Sequence, residues 1–444
     1  MKAIQLGLLL IWLMICLYFI PYCIRYRNYK SLKFITIALS LQNLMSLFAS
    51  NTLFNAVGQF IILYKEVVFW GAVLLSFIVK GKIKKLMLPI IIYITYLVLC
   101  LFNGDASVYT KLICFRQLMT PIILFLYGRT LCINENEKCD YMKFIVNFGV
   151  FQAVFGLIER YILGDAFWLA LNVSKLYETK GFSNWVYGTL PGNYYSSDFY
   201  HIIGKSIRRL VGITTEPLLT AHFLALGIVI LLFTDCEKIA LKKNVKLILL
   251  TSACILTISK GAFLIIGIAY LYKIWFRNKA VAIVAVCAAV VGVFWIIQSN
   301  LFRTIAIHLE GFFTGLTNLS LFGGGLGTSG NLTSVSGGIS STSGESFFGM
   351  ILGQTGIIGL ILFIWAVYRM GKWVLRIEKG KYEYCIIAYT FAVMVEAMVS
   401  ESAINFVGSG CAFIVLGFLT TRPLRNYSDV YKSNCLLLEN RQIN

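Results

Sequence analysis

The 444-residue chain is 58% hydrophobic and 13% charged, with a mean hydropathy of +0.78, a profile that excludes a soluble globular domain. Its net charge of +19 does not mark nucleic-acid binding, because the Lys and Arg residues fall in short connectors between apolar runs, where they set membrane topology. Twelve cysteines without a C-x-x-C pair, and three histidines, give no sign of a disulfide framework or a metal centre.

Apolar stretches long enough to span a core of ~30 Å fall at 4–24, 32–49, 57–79, 86–102, 113–131, 141–163, 217–233, 280–297, 346–368, 384–400 and 404–420. The first is a span and not a secretion signal, since it is long for a signal and runs into Pro21 and Arg25 without a small-residue cleavage site. Residues 245–276 read as one helix, two crossings or a tight hairpin, with Ser259-Lys260-Gly261 in the middle. Charge decides for two crossings. The connectors then alternate, with 27 Lys and Arg on one side, nine on the other and three (Lys65, Arg116, Arg160) inside spans. A single helix would put the basic connector 369–383 on the wrong side. The expected fold is an all-α polytopic membrane protein, one integral domain over 1–444 with about 12 to 13 transmembrane helices, the amino terminus outside and the carboxyl terminus inside.

Two outer connectors are long for helix connections, 164–216 and 298–345, and loops of that length are functional candidates. The first is aromatic and mildly basic, as a folded lid would be. The second is glycine-rich, runs straight into the span that starts at 346, and reads as the roof of an active site.

A charge in hydrocarbon costs at least ~2.5 kcal/mol at mid-span, so each needs a partner or a purpose. Lys65 and Glu66 lie roughly 13 Å below the outer surface at 1.5 Å per residue. Arg116, Glu159, Arg160, Glu216, His222, Lys260, Glu396 and Glu401 also sit in outer halves or at outer ends. This one-sided pattern implies a polar, cationic cavity open to the outer leaflet. Local pairing of Lys65 with Glu66 and of Glu159 with Arg160 is the plainer alternative. Arginines at a lipid boundary suit an anionic head group, because a guanidinium forks onto phosphate oxygens.

Some patterns carry no such weight. Gly325-Leu326-Gly327-Thr328-Ser329-Gly330 spells G-x-G-x-x-G, but it follows no strand and opens no βαβ unit, so the dinucleotide reading fails. No Walker lysine follows. Gly349, Gly353, Gly356 and Gly359 read as close helix packing.

Three stretches together resemble the membrane family of bacterial O-antigen polymerases and O-antigen ligases. They are Arg208-Arg209-Leu210-Val211-Gly212 leading to Glu216-Pro217, Thr257-Ile258-Ser259-Lys260-Gly261-Ala262, and the glycine-rich loop ending in Glu345-Ser346 before Gly356 and Gly359. The resemblance covers roughly residues 60–370. Lys260 stands where the family often has arginine, and Glu345-Ser346 replaces the His-Asn pair of the ligases, which favours a polymerase. The resemblance implies a bundle of the C-type glycosyltransferase kind in the bacterial inner membrane, its site facing the periplasm, using neither metal, cofactor nor nucleotide sugar. The partners it implies are undecaprenyl-diphosphate-linked oligosaccharides, membrane lipid and a chain-length regulator protein. Arg116, Arg208, Arg209, Lys260 and Arg303 are the expected diphosphate ligands, and Glu345 and His308 the expected general bases. A ligase and, from a different class, a flippase for lipid-linked repeat units are the competing readings.

Overall fold

In the computed structural model, residues 2–52, 55–80, 87–179, 185–186, 190–198, 200–234, 243–284, 287, 312–317, 319–330, 345–376 and 380–421 are described. The described residues are mostly helical. Helices α1 (Lys2–Arg25), α2 (Tyr29–Thr52), α3 (Asn55–Lys80), α4 (Leu88–Cys100), α5 (Val108–Thr130) and α6 (Glu135–Ile158) come first. The last turn of α6 continues as a π-helical segment, Glu159–Leu163. Then follow α7 (Gly164–Ala170), α8 (Val173–Thr179), α9 (Tyr200–Ile203), α10 (Pro217–Phe233), α11 (Lys243–Leu256), α12 (Lys260–Arg277), α13 (Phe347–Val374), α14 (Lys381–Glu396) and α15 (Gly410–Leu419). Among the described residues five stretches are apolar and long enough to cross a membrane: α1, α2, α5, the run Glu135–Ala170, and α13. The protein is an all-α membrane protein.

The expected spans coincide with helices except at 280–297, most of which lies outside the described residues. The 245–276 stretch is two helices, not one, α11 and α12 being separated by a turn at 257–259. Two boundaries are corrected. Residues 384–400 and 404–420 were expected to form spans, but α14 ends at Glu396 and α15 begins only at Gly410, and residues 397–409 form an irregular connector with a single 3-10 turn at Glu401–Ala403.

Helix polarity sorts the bundle into two ends. At one end Lys138 of α6 bonds Glu383 of α14 at 2.6 Å, while Arg129 of α5 bonds Thr420 at 2.8 Å and lies over the Trp373 ring at 4.0 Å. At the other end the termini of α6, α10, α11, α12, α13, α14 and α15 meet the long connectors. Between the ends the tightest crossing is that of α5 with α15, where an added Cβ at Gly128 would strike the Ile414 carbonyl and one at Gly417 the Phe125 carbonyl. Small residues at a crossing let backbones approach in lipid, where apolar burial supplies little drive.

The first long connector is folded. Its two short antiparallel ribbons pair β1 (Trp185–Val186) with β2 (Leu190–Pro191), and β3 (Tyr195–Ser196) with β4 (Ile207–Arg208). Trp168, Leu176, Tyr177, Leu190, Tyr194 and Val211 bury against Trp12, Met45 and Phe48 of α1 and α2, a core separate from that of the bundle.

The four-glycine pattern in α13 is corrected in part. Gly356, the tenth residue of the helix, has φ 67° and ψ −169°, so α13 is broken there. The broken backbone is filled by the glycine-rich segment 319–330: Gly324 N–H donates to Gly353 O, Gly325 N–H to Gln354 O, Ile357 N–H to Ser320 O and Ile358 N–H to Leu321 O. The Tyr96 hydroxyl donates to Thr355 O at 2.7 Å. An interrupted helix survives in a membrane only where protein satisfies the freed groups.

Candidate functional site

The polar residues at the loop-bearing end form two groups joined by the connector 397–409. The first group is built on the π-helical end of α6. Glu159 is fully buried and accepts from Arg208 Nη2 at 2.5 Å, from the Trp168 indole at 2.7 Å and from Val211 N–H at 3.2 Å. Arg208 also donates from Nε to Asp165 at 2.6 Å, and Asp165 accepts from the Tyr195 hydroxyl as well. Burial pulls the Arg208 pKa down, but the bonds to Asp165 and Glu159 outweigh it and hold the guanidinium above its ordinary value. Arg208 is thus the pin that ties the first connector to α6.

Arg209 is placed differently. Its guanidinium donates to Thr257 O at 2.7 Å, Ile258 O at 3.1 Å and Asn193 O at 3.5 Å, all backbone carbonyls. Among the described residues no carboxylate reaches ion-pair distance of it, and burial draws its pKa down, with Asp198 and Glu216 working against that from further away. It caps the end of α11 together with Arg160, which donates to Leu256 O at 2.9 Å. The turn it holds, with Ile258 at φ 51°, presents Lys260 at the start of α12. Lys260 is 43% exposed and bonds Asp198 at 2.7 Å. Burial raises the Asp198 pKa, yet the Lys260 and Ser196 bonds prevail and leave it below the ordinary carboxylate value.

The second group centres on the connector. Gln117 of α5 donates to Glu401 at 2.9 Å, and Arg116 beside it approaches Glu66 of α3 at 3.7 Å. Lys65 donates to Gln42 at 3.1 Å and lies 4.5 Å from the Phe406 ring centre. His222 of α10 bonds Glu396 at 2.9 Å and meets Asn405 at 3.2 Å. Glu396 in turn occupies the space a side chain at Gly261 would need, which joins this group to the Lys260 turn. The plainer local pairing is replaced at Glu159, which bonds Arg208 and not Arg160, while Glu66 has both Lys65, its neighbour in sequence, and Arg116 at 3.7 Å beside it.

Of the expected ligands, Arg208, Arg209 and Lys260 come together, while Arg116 belongs to the second group. Glu345 is half-buried immediately before Ser346, the N-cap of α13, whose hydroxyl accepts from Gly349 N–H at 3.0 Å. Arg303 and His308 lie outside the described residues. No family model matches the chain, and no curated protein does. Among the described residues no three His, Cys, Asp or Glu side chains gather as a metal set.

Sequence reasoning missed Asp165, Asp198, Gln117, Gln354 and Asn405. A signal existed for the connector: Ser400, Glu401, Ser402, Asn405, Gly408, Ser409 and Gly410 are dense polar and small residues inside an apolar run. None existed for Asp165 or Asp198, which become partners only once the first connector has folded.

Proposed function

We propose that the protein polymerises lipid-linked oligosaccharide repeat units. A glycan leaves undecaprenyl diphosphate and joins the terminal sugar of a second lipid-linked unit, in O-antigen or capsule synthesis at the periplasmic face of a bacterial inner membrane. The observation that carries this reading is Arg209: a guanidinium held rigidly by carbonyls, without a carboxylate at ion-pair distance among the described residues, next to the half-exposed Lys260. A fixed positive charge with no direct ion pair among the described residues suits a lipid diphosphate, and it stabilises the negative charge that grows on that group as it leaves. Arg116, the other expected arginine among the described residues, lies in the second group, 3.7 Å from Glu66. Arg208 is assigned to the scaffold, its charge already matched by Glu159 and Asp165. The attacking hydroxyl gives its proton to a base as its oxygen bonds the anomeric carbon, and Glu345 fills that role in this reading, with His308 as the other candidate. The full complement of 12 to 13 spans, with basic connectors inside, about a ~30 Å core belongs to the same proposal.

The test is gel analysis of surface glycan from a deletion strain, with the gene restored as wild type or Arg209→Ala. The expected result is loss of the ladder in the deletion and in Arg209→Ala, with core bearing one repeat unit retained. A full ladder in the deletion strain refutes the reading.

The break in α13 favours a second reading, a repeat-unit flippase, since interrupted helices line many transport pathways. Against it, the segment 319–330 fills this break. A core with no repeat unit at all would point to the flippase or to a ligase.

A further inference from the structure

We propose that Gln117, Gln354 and Glu401 form a subsite for the hydroxyl groups of a neutral sugar, beneath the glycine-rich segment. The proposal rests on the polymerase reading, the sugar being the acceptor of the transfer.

Gln354, in the break region of α13, is fully buried, and its Nε2 donates to Ser329 O at 2.5 Å. Only an N–H faces a carbonyl favourably, so the amide orientation is fixed and Oε1 is not an artefact of a flipped group. Among the described residues that oxygen has no hydrogen-bond partner, although the Cys114 thiol lies beside the amide. The same logic holds for Gln117. Its Nε2 donates to the Glu401 carboxylate at 2.9 Å, which again fixes the amide, and its Oε1 is buried without a partner among the described residues. The two amides belong to one cluster. Gln354 holds Ser329, and the next residue, Gly330 at φ +100°, lies against Glu401, where an added Cβ would come 3.1 Å from Oε2.

Buried acceptors left bare are costly and need explanation. Charge narrows the ligand. The carboxylates Glu401 and Glu66 are accompanied by Lys65 and by Arg116, which lies 3.7 Å from Glu66, so the charges of the neighbourhood balance and the bare amide oxygens call for hydrogen-bond donors. A donor-rich neutral molecule is a polyol, and a sugar meets that description. The side chains of Arg116 and Glu66, beside the cluster, are 27% and 17% exposed. The cluster complements the Arg209 and Lys260 group: one site for the anionic leaving group, the other for uncharged hydroxyls.

The experiment uses the full-length protein in membranes, with the host's own repeat unit carried on a short alkyl diphosphate as the acceptor probe. In Gln354→Met and Gln117→Met, which keep side-chain length and remove the amide oxygen, the acceptor KM should rise about tenfold while the donor KM and the amount of protein stay at wild-type levels. A merely structural role would lower protein amount or disturb both constants. Deoxy versions of the acceptor, tested on the wild type, keep the proposal falsifiable if the variants fold poorly. At least one hydroxyl other than the attacking one should matter by a similar factor. Unchanged acceptor KM in both variants, or indifference of the wild type to every deoxy acceptor, overturns the subsite. So does thermal stabilisation by sodium over choline that vanishes in Gln354→Met, since that assigns the oxygens to a cation. Arg209→Ala is measured in parallel. Normal transfer there sinks the underlying reading, whereas lost transfer with normal acceptor KM in the glutamine variants sinks the subsite alone.

Discussion

Asn405 meets His222 Nδ1 through its amide nitrogen, at 3.2 Å, and that contact fixes the imidazole tautomer. The Asn405 amide cannot be flipped, because its oxygen accepts from Gly408 N–H at 2.6 Å and its nitrogen donates to Ser402 O at 2.9 Å. Nδ1 must then accept, and the Nε2 proton points at Glu396. The side chains of His222 and Glu396 are 1% and 2% exposed, so the ring presents its proton to a partner that water does not reach.

Replacing His222 by alanine removes the donor to a buried carboxylate. The expected loss is about 1.5–3 kcal/mol of stability, read as a lower melting temperature of the purified protein in detergent. Replacement by glutamine, which keeps an N–H, should cost less. Equal melting temperatures for wild type and His222→Ala would contradict the pairing.

Arg208→Ala leaves Glu159 buried with its charge unmatched, a change that costs on the order of 3–5 kcal/mol when a buried pair is broken. Arg208→Lys should restore little, because a single ammonium cannot reach Glu159 and Asp165 with the geometry of the fork. The measurement is folded protein recovered from membranes. A Glu159→Gln, Arg208→Ala double variant should be less damaged than the sum of its singles.

Asp198 lends the Lys260 turn a pH dependence of known sign. Its pKa in the folded protein lies below the ordinary value, so its contribution is complete above the ordinary carboxylate range and is lost as pH falls through the folded value. Protease cleavage within 190–210 should rise on acidification below about pH 4. The rise should be absent in Asp198→Asn, which is cleaved to the same degree at every pH.

Gly356→Ala forces a side chain into positive φ and onto the Leu321 carbonyl, while Gly267 in α12 has open space around it. The first change should prevent normal assembly. Gly267→Ala should be neutral or stabilising by up to ~1 kcal/mol. Size-exclusion profiles of the two variants separate them directly, and a normal profile for Gly356→Ala would refute the broken helix.

The helices under the expected spans were legible because a bilayer demands length and apolarity, and both are properties of the sequence itself. The start of α15 was not, since Ile404, Phe406 and Val407 continue the apolar signal while Asn405, Gly408 and Ser409 turn the backbone aside. The gathering of charges at one end was legible too. Their partners were not: Arg208 meets Asp165 and Glu159, 43 and 49 positions away, and only the fold of the first connector decides that it is a pin while its neighbour Arg209 keeps its charge. Gly356 shows a further limit, since a glycine that permits close packing and one that breaks a helix look alike until φ is known.

The mending of α13 by residues 320–325 has a consequence for biogenesis. Five backbone groups around Gly356 find their partners in that segment or in Tyr96. In lipid each bare group would cost several kcal/mol. The helix is therefore not an autonomous insertion unit, and a fragment starting after residue 330 has no means of closing it. Chain order helps, for the ribosome delivers the patch some thirty residues before the gap it seals.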